Sequence, residues 1–494
     1  METIPTRISL QSHLGTLRYR GPLPVWPNTT ALGIEWDDET RGKHSGSHNG
    51  VAYFETSVPN SATFVKVGRK FDEKRSFLEA LKERYAPEEV DELEKIDITF
   101  GNKVVERVGF DKIRKLQAQL DKLSLVALDQ QCIAYPSDGL CSFCPSIQDL
   151  DLSRNLFDDL VDVAKIAAQL PRLRLLRLNG NRIISWELPE EYEHAFLNIQ
   201  VISLASTLIP LESISNLPKL FPAARECSLA SNYLDFADIY FSATWRSLQS
   251  LDLSYNRFTT IPSLKSPDGA TLPITSLNVS HNSISEIQST SGTEYTPNLK
   301  ALDLRHNNLK AWKDIDTLAS QFTTITDVRI QWNPFMDGLA YDDVQLAVIA
   351  RWASLTALNG MKIDERERMN AEIFFMSKVA KRHAPDFDLD SPRWKQLCDI
   401  YGPPVDSEAA KKSSVLGIVV LIEGEEKRRK IPRGLTVEKL KILVSKWYKI
   451  PAAFAELVLI DDDGTELIFE DSLREIEYYG VVDGSKIKIR DKRR

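Results

Sequence analysis

Leu248-Gln-Ser-Leu251-Asp-Leu253-Ser-Tyr-Asn256-Arg-Phe258 is the stretch on which the reading of this 494-residue chain turns. Its apolar residues fall three, two and five apart, a spacing that suits a short strand with alternating side chains followed by a turn. The Asn of that turn offers both a donor and an acceptor to the backbone of a neighbouring turn. The same register recurs at Ile147-Leu150-Leu152-Asn155-Phe157, Leu173-Leu176-Leu178-Asn181-Ile183, Ile199-Ile202-Leu204-Thr207-Ile209, Ala224-Cys227-Leu229-Asn232-Leu234, Ile274-Leu277-Val279-Asn282-Ile284, Leu299-Leu302-Leu304-Asn307-Leu309 and Ile325-Val328-Ile330-Asn333-Phe335. A weaker copy, Leu123-Val126-Leu128-Gln131-Ile133, precedes them. Successive turn positions lie 24, 26, 26, 25, 24, 26, 25 and 26 residues apart. A period this regular predicts units that stack, each burying its apolar face against the next.

The register is that of the leucine-rich repeat, and it predicts a solenoid over residues 123–359. Outward positions between the strand leucines are short and polar: Asp151 and Ser153, Asp252 and Ser254, Asn278 and Ser280, Asp303 and Arg305, Arg329 and Gln331. They are expected to line a concave sheet open to a large protein partner. A repeat array supplies architecture, so function is sought in its flanks.

At 43% apolar content the chain is long enough for several cores, and three folded units are expected. The N-terminus carries no apolar run, and no stretch approaches the roughly 18 apolar residues of a membrane span; the expectation is a soluble, intracellular protein without a membrane partner. Five cysteines is a low, odd count that argues against a disulfide framework. Cys141-x-x-Cys144 has zinc-ligand spacing but no companion His or further Cys beyond Cys132, and reads as loop and core thiols. A net charge of -8 argues against a general nucleic-acid-binding surface. Residues 1–70 hold eight Lys/Arg against six Asp/Glu, and residues 414–494 sixteen against fifteen, so the middle carries the negative balance. The N-terminal segment is the better receiver of an acidic partner.

That segment alternates short apolar runs with turn formers: Gly15 to Tyr19, Gly33 to Trp36, Gly50 to Phe54 and Thr63 to Val67. The spacing predicts a small barrel. Between two runs lies Gly42-Lys-His-Ser-Gly46-Ser-His48-Asn-Gly50, whose glycines leave backbone N–H groups free to face a ligand. No Gly stands five residues before Gly42 and no Ser or Thr directly follows Lys43, so it is no phosphate loop. His44 and His48 lack a third metal ligand. Two readings remain: a carboxylate-receiving loop and an ordinary barrel turn.

Gly15-Thr-Leu-Arg-Tyr-x-Gly21, Gly33-Ile-Glu-Trp-Asp37, Gly42-Lys-His-Ser-Gly46 and Tyr53-Phe54 together resemble the CAP-Gly domain, whose signature is a Gly-Lys-Asn-Asp-Gly loop. The resemblance implies capture of acidic C-terminal tails, such as that of α-tubulin, at Trp36, Gly42, Lys43, His44, Ser45, Gly46 and Phe54. His44 and Ser45 depart from the signature, and Ala31 stands where a groove-lining Trp is usual, with Trp26 available to fill the gap.

In the bridge, residues 71–122, Phe77, Leu78, Leu81 and Tyr85 share one face of a helix expected over Glu73 to Tyr85. An extended pair is expected around Ile96 to Phe100 and Lys103 to Val108. Ile113, Leu116, Leu120 and Leu123 mark a second helix, expected to cap the solenoid. Residues 360–404 are expected to close its far end through a helix from Asp364 with Met369, Ile373 and Met376 inward, and a last helix over Ser391 to Tyr401. A polar linker, 405–413, leads to residues 414–494, where hairpin strands, a helix capped by Thr436 and strands at Glu456 to Ile460 and Ser485 to Arg490 resemble the ubiquitin-like fold. The fold class is therefore multidomain α+β: CAP-Gly β-barrel, leucine-rich-repeat solenoid and ubiquitin-like β-grasp.

This order resembles the tubulin-folding cofactor E family, as do Gly42-Lys-His-x-Gly-Ser-His48, Phe77-Leu-x-Ala-Leu-Lys-x-Arg-Tyr85 and Pro392-Arg-x-x-x-Leu-Cys-x-x-Tyr-Gly402. The resemblance implies a non-enzymatic α-tubulin chaperone in the cytoplasm, associated with the cytoskeleton. It implies work with the folding cofactors D, C and B and an Arf-like small GTPase to assemble or take apart the α/β-tubulin dimer. No catalytic set, metal site or cofactor is expected. A microtubule-associated adaptor using the same loop, and a repeat-protein activator of a small GTPase, are the alternatives.

Overall fold

The computed structural model describes residues 6–86, 99–100, 103–104, 119–235, 238–240, 245–265, 272–287, 298–381, 384, 387–404, 415–461 and 464–493. The chain divides into two compact units, Met1–Asn308 with Ile330–Trp332, and Leu309–Arg329 with Asn333–Arg494.

In the first unit, strands β1 (Thr6–Leu10), β2 (His13–Leu23), β3 (Trp26–Trp36) and β4 (Ala62–Lys66) pair antiparallel in that order. Ile8, Leu10, Ile34 and Trp36 form their small core. Arg7 is fully buried beside that core, and its guanidinium donates to both carboxylate oxygens of Asp37 at 2.7 and 2.6 Å and to Thr16 Oγ1 at 3.0 Å. A buried cation persists only when paired in this way.

The next helix, α1 (Phe77–Tyr85), begins later than the expected Glu73. Arg75–Ser76 is drawn into a parallel pair with Ile133–Tyr135, and Ser76 then caps the helix reciprocally with Glu79. Phe77, Ala80 and Leu81 are fully buried, with Leu78 and Tyr85 half-buried. The Tyr85 hydroxyl accepts from the Ala127 N–H at 2.8 Å, so α1 satisfies the edge of the first repeat strand. The expected second helix at Ile113 and Leu116 lies outside the described residues. At Leu120–Lys122 the chain makes one 3-10 turn. Of the expected extended pair, Thr99–Phe100 and Lys103–Val104 run antiparallel.

Strands β5 (Leu125–Ala127), β6 (Asp149–Asp151), β7 (Leu175–Arg177), β8 (Val201–Ser203), β9 (Glu226–Ser228), β10 (Ser250–Asp252), β11 (Ser276–Asn278) and β12 (Ala301–Asp303) follow, each parallel to the next. The register places Val126, Leu150, Leu176, Ile202, Cys227, Leu251, Leu277 and Leu302 in one buried row. Helices α2 (Leu160–Ala167) and α3 (Leu211–Leu220) turn apolar faces onto the array.

The turn asparagines hold the repeats together. Asn256 Oδ1 accepts from the Asn232 and Leu234 N–H groups at 2.9 and 3.1 Å, while Nδ2 donates to Leu229 O at 3.1 Å and to Leu253 O at 2.9 Å. Asn155, Asn181, Asn232 and Asn307 reach the preceding turn in the same way. The expectation for the outward positions needs correction. Ser153, Ser254 and Ser280 are buried, and Asp151, Asp252 and Asn278 each turn a side-chain oxygen back to accept from the serine N–H. Part of this polar row caps its own turn instead of facing a partner.

In the second unit, β13 (Asp327–Arg329) runs parallel to β14 (Ala357–Leu358), which turns into the antiparallel β15 (Met361–Lys362). Helices α4 (Trp312–Gln321), α5 (Tyr341–Arg351), α6 (Glu365–Ala380) and α7 (Pro392–Tyr401) build the cap. On α6, Met376 faces inward as expected, but Met369 and Ile373 are half-exposed and Ala371, Glu372, Phe374 and Phe375 are buried. A buried carboxylate causes the rotation: Glu372 accepts from Arg393 Nη2 and, at 2.7 Å, from the Tyr401 hydroxyl of α7. The expected linker at 405–413 lies outside the described residues.

A β-grasp ends the unit. Its strands β16 (Val415–Ile422), β17 (Glu425–Pro432), β18 (Ala455–Ile460), β19 (Glu466–Ile468) and β20 (Lys486–Asp491) lie in the order β17-β16-β20-β18-β19, packed on α8 (Val437–Tyr448). β16 and β20 are parallel, and β19 is a strand the sequence pattern did not predict. Arg474 meets Asp342 of α5 at 2.9 Å, and Arg366 of α6 meets Glu470 at 2.6 Å.

Replacing one ladder residue tests the frame. Asn256→Ala strands two amides and two carbonyls in turns that water does not reach, at about 1 to 3 kcal/mol for each unsatisfied group before relaxation. We expect a loss of roughly 3 kcal/mol in denaturant unfolding, against a few tenths for Asn308→Ala at an exposed position.

Candidate tail-binding loop

The Gly42 to Gly46 loop is built by close backbone approaches. Asp38 caps a 3-10 turn over Glu39–Arg41, and the Gly42 N–H donates to Glu39 O at 2.9 Å. The N–H groups of Lys43 and His44 then both donate to Ala62 O, at 2.8 and 3.3 Å, tying the loop to β4. A Cβ on Gly42 would stand 1.9 Å from Asn60 O. Gly46 has φ +95°, and a Cβ there would stand 1.9 Å from Phe54 O. No other residue fits either position.

These approaches leave Lys43 exposed and turn His44 inward. The His44 ring stacks on Phe64 at 4.8 Å, and its Nδ1 accepts from the Gly46 N–H at 3.0 Å. Burial, with a smaller contribution from His48, holds its pKa below the usual imidazole value, so the ring stays neutral and able to accept. Ser45 Oγ accepts from the Asn60 N–H at 2.8 Å, pinning the loop to the segment before β4.

Phe64 is the centre of a half-buried aromatic cluster. Tyr19, His48, Tyr53 and Phe54 surround it at 6.1, 6.3, 5.6 and 5.6 Å between ring centroids. Gly33 makes room, since a Cβ there would stand 2.2 Å from the Phe54 ring. Six of the sequence-derived candidates, Gly42, Lys43, His44, Ser45, Gly46 and Phe54, therefore come together. Trp36 does not join them. It is 4% exposed in the barrel core, with its indole N–H donating to Thr63 Oγ1 at 2.8 Å and the Arg41 guanidinium 4.8 Å from its ring centroid. Ala31 is fully buried, and Trp26 lies against Lys66, the residue opposite Ala31 on β4.

Sequence reasoning passed over Tyr19, His48 and Phe64. The strand period carried a signal: Phe64 is directly opposite Gly33 and so belongs to the face opposite Ile34 and Trp36. It also passed over two repeat residues that reach the segment leading into the loop. Arg182 Nε lies 3.8 Å from Asp37, and the Tyr233 hydroxyl donates to Glu39. The Arg257 guanidinium packs over the Tyr233 ring at 4.2 Å. Elsewhere Cys144 is a buried thiol, pushed up to about 11 by burial and by Cys141, with Sγ donating to Leu140 O. No helix among the described residues is long and apolar enough to cross a membrane.

A glycine-bound loop beside an aromatic cluster, a repeat solenoid and a β-grasp define a chain assembled from several distinct modules. Residues 4–70 match the CAP-Gly domain family, and residues 247–266 match the Leucine Rich Repeat. Tubulin-specific chaperone E of Xenopus laevis is 29% identical over 98% of this chain and 98% of its own length. Protein PAC2 of Saccharomyces cerevisiae is 30% identical over 81% of this chain and 77% of its own. Tubulin-specific chaperone E of Homo sapiens is 28% identical over 99% and 98%. The chain belongs to the tubulin-specific chaperone E family.

The His44 geometry is checked by following its ring nitrogens by NMR. We expect Nδ1 unprotonated at neutral pH and a titration midpoint below the model-peptide value of about 6.5. Because the folded pKa is lowered, the contribution of the Gly46 bond to stability is complete above that value and is lost as pH falls through the folded midpoint. A midpoint above it would remove the neutral acceptor.

Proposed function

We propose that this protein is a tubulin-folding cofactor that binds α-tubulin at two places. The loop at Gly42 to Gly50 takes the acidic C-terminal tail, and the repeats hold the folded body. With the folding cofactors D, C and B and an Arf-like small GTPase, it promotes assembly or dissociation of the α/β dimer. It acts in the cytoplasm, beside the cytoskeleton. The observation that carries this reading is the exposed Lys43 on a glycine loop at the rim of the Phe64 cluster.

The chemistry is complementary. Lys43 attracts tail glutamates and the terminal carboxylate, and the half-buried rings of Tyr19, Phe54 and Phe64 accept an aromatic terminal side chain by edge and face contacts. Serine at position 45 brings no charge to oppose an acidic ligand. Two linked contacts make the second effectively intramolecular, which raises total affinity without new interactions. Any GTP in the reaction belongs to tubulin or to the partner GTPase.

The test is titration of the full chain with an acidic peptide ending Glu-Glu-Tyr. Lys43→Ala removes a charge-assisted contact of roughly 1.5 to 3 kcal/mol, so we expect affinity to fall about tenfold to a hundredfold, with melting unchanged and the defect shrinking as salt rises. Amidating the peptide at its C-terminus is expected to weaken binding similarly. If neither change moves affinity, the loop does not capture the tail.

A further inference from the structure

The residue just before each ladder position adopts left-handed backbone. Gln130, Arg154, Gly180, Ser206 and Ser231 occupy it in the earlier turns, and Tyr255, His281, His306 and Trp332 occupy it in four consecutive later ones, with φ of 55, 54, 53 and 63°. Large aromatic side chains are unfavourable there, where glycine or asparagine is preferred. The four rings form one continuous stack. Tyr255 and His281 are 4.0 Å apart and 8° from parallel, His281 and His306 4.0 Å and 18°, His306 and Trp332 5.4 Å and 12°.

The stack is open to solvent at both ends, with Tyr255 57% and Trp332 69% exposed. A fold that only needed to close these turns would not require such rings there, since the serines and Gly180 close the earlier ones. Stacked rings cover one another's faces, so the inner two present their edges outward. Ring edges are electropositive, and these bear a phenol O–H, imidazole N–H groups and an indole N–H. Burial, His306 and Arg305 hold the His281 pKa below the usual imidazole value, against the pull of Asp303. Arg305 is itself paired with Asp303 at 2.6 Å, and among the described residues Asp303 is the carboxylate that acts on His281. Arg305 contributes the remaining facing charge.

The location is equally telling. Arg182 and Tyr233, which hold the tail-binding loop, stand one residue past ladder positions 181 and 232, in the same row of turns. Arg257, over Tyr233, stands one residue past Asn256, two beyond Tyr255. The loop and the stack thus share one edge of the solenoid, in neighbouring repeats.

We propose that the stacked edge of Tyr255, His281, His306 and Trp332 is the seat of the folded body of the protein whose tail enters the loop, bound through an acidic, acceptor-rich surface segment. The proposal rests on the functional reading above and assigns the second contact to particular residues.

The experiment measures full-chain binding to three probes: the acidic tail peptide, intact tubulin dimer, and dimer whose C-terminal tails have been removed by limited proteolysis. The variant Trp332→Ala/His306→Ala is expected to bind tail-less dimer at least about tenfold more weakly than the parent, as removal of an exposed aromatic hot spot does, with peptide affinity unchanged. A second variant, His281→Phe/His306→Phe, keeps the stack and removes the ring N–H donors; it is expected to melt like the parent and still bind tail-less dimer poorly. Parent-like binding of tail-less dimer by either variant overturns the proposal, as does a parent chain that binds intact dimer but not the tail-less form. A parent chain that binds neither dimer overturns the functional reading itself.

Discussion

Backbone left over at the turns is the constraint on which this structure depends. A repeat only three residues wide in its sheet pairs few of its amides, and part of the rest lies in turns that the neighbouring repeats bury. The buried asparagines resolve this by presenting a donor and an acceptor to two turns at once, as Asn256 does toward Asn232, Leu234, Leu229 and Leu253. Thr207 shows the converse. Its hydroxyl donates to Leu204 O within its own turn, and the next repeat's Asn232 accepts from both the Thr207 and Leu208 N–H groups. Everything placed on this edge inherits the asparagine register, including Arg182, Tyr233 and the aromatic stack.

Charge buried away from the repeats serves a related end. Arg7 with Asp37 fixes the strand end that leads to the Gly42 loop, and Glu372 with Arg393 and Tyr401 fixes α7 against α6. Such groups add little net stability, because desolvation offsets most of the attraction. They add directionality: a guanidinium with two oxygens to satisfy tolerates one strand position, whereas an apolar contact tolerates several. Burial nonetheless prevails over pairing at Asp316, whose carboxyl is pushed up although Arg351 lies 2.6 Å away.

The repeat strands were legible because their signal is a period, and a period survives local variation such as Cys227 in a leucine position. The loop was legible because Gly42 and Gly46 stand where backbone oxygens come within 1.9 Å of a would-be Cβ. Trp36 was misplaced for a physical reason. Resemblance put it at the groove, but it shares the inner face of β3 with Ile34, and strand parity alone assigns it to the core. Phe64 escaped notice because a lone aromatic in a short strand has no period to mark its face. The contacts of Arg182 with Asp37 and of Tyr233 with Glu39 join residues far apart in sequence, and no local pattern reports such a pairing. Glu372 escaped because a charged residue in a helix reads as exposed until the helix that covers it is known.

The hold of the solenoid on the loop has its own consequence for how two contacts cooperate. Arg182 and Asp37 approach only to 3.8 Å, and Glu39 is an exposed partner for Tyr233. A single exposed hydrogen bond such as that of Tyr233 contributes about 1 kcal/mol, and the partly buried Arg182 stands too far from Asp37 for a direct hydrogen bond, so the two contacts favour one placement of the segment without imposing it. On the proposed reading, a tail bound at Lys43 would work against a small restoring energy, and a ligand engaging both loop and stack would select the placement that suits it at little cost. A rigid fusion would fix the span between the contacts and exclude any client whose tail emerges elsewhere, while a free linker would dilute the second contact by its own length. Weak polar contacts along a shared edge lie between these limits, and would keep the loop near the stack while leaving the proposed tail room to find it.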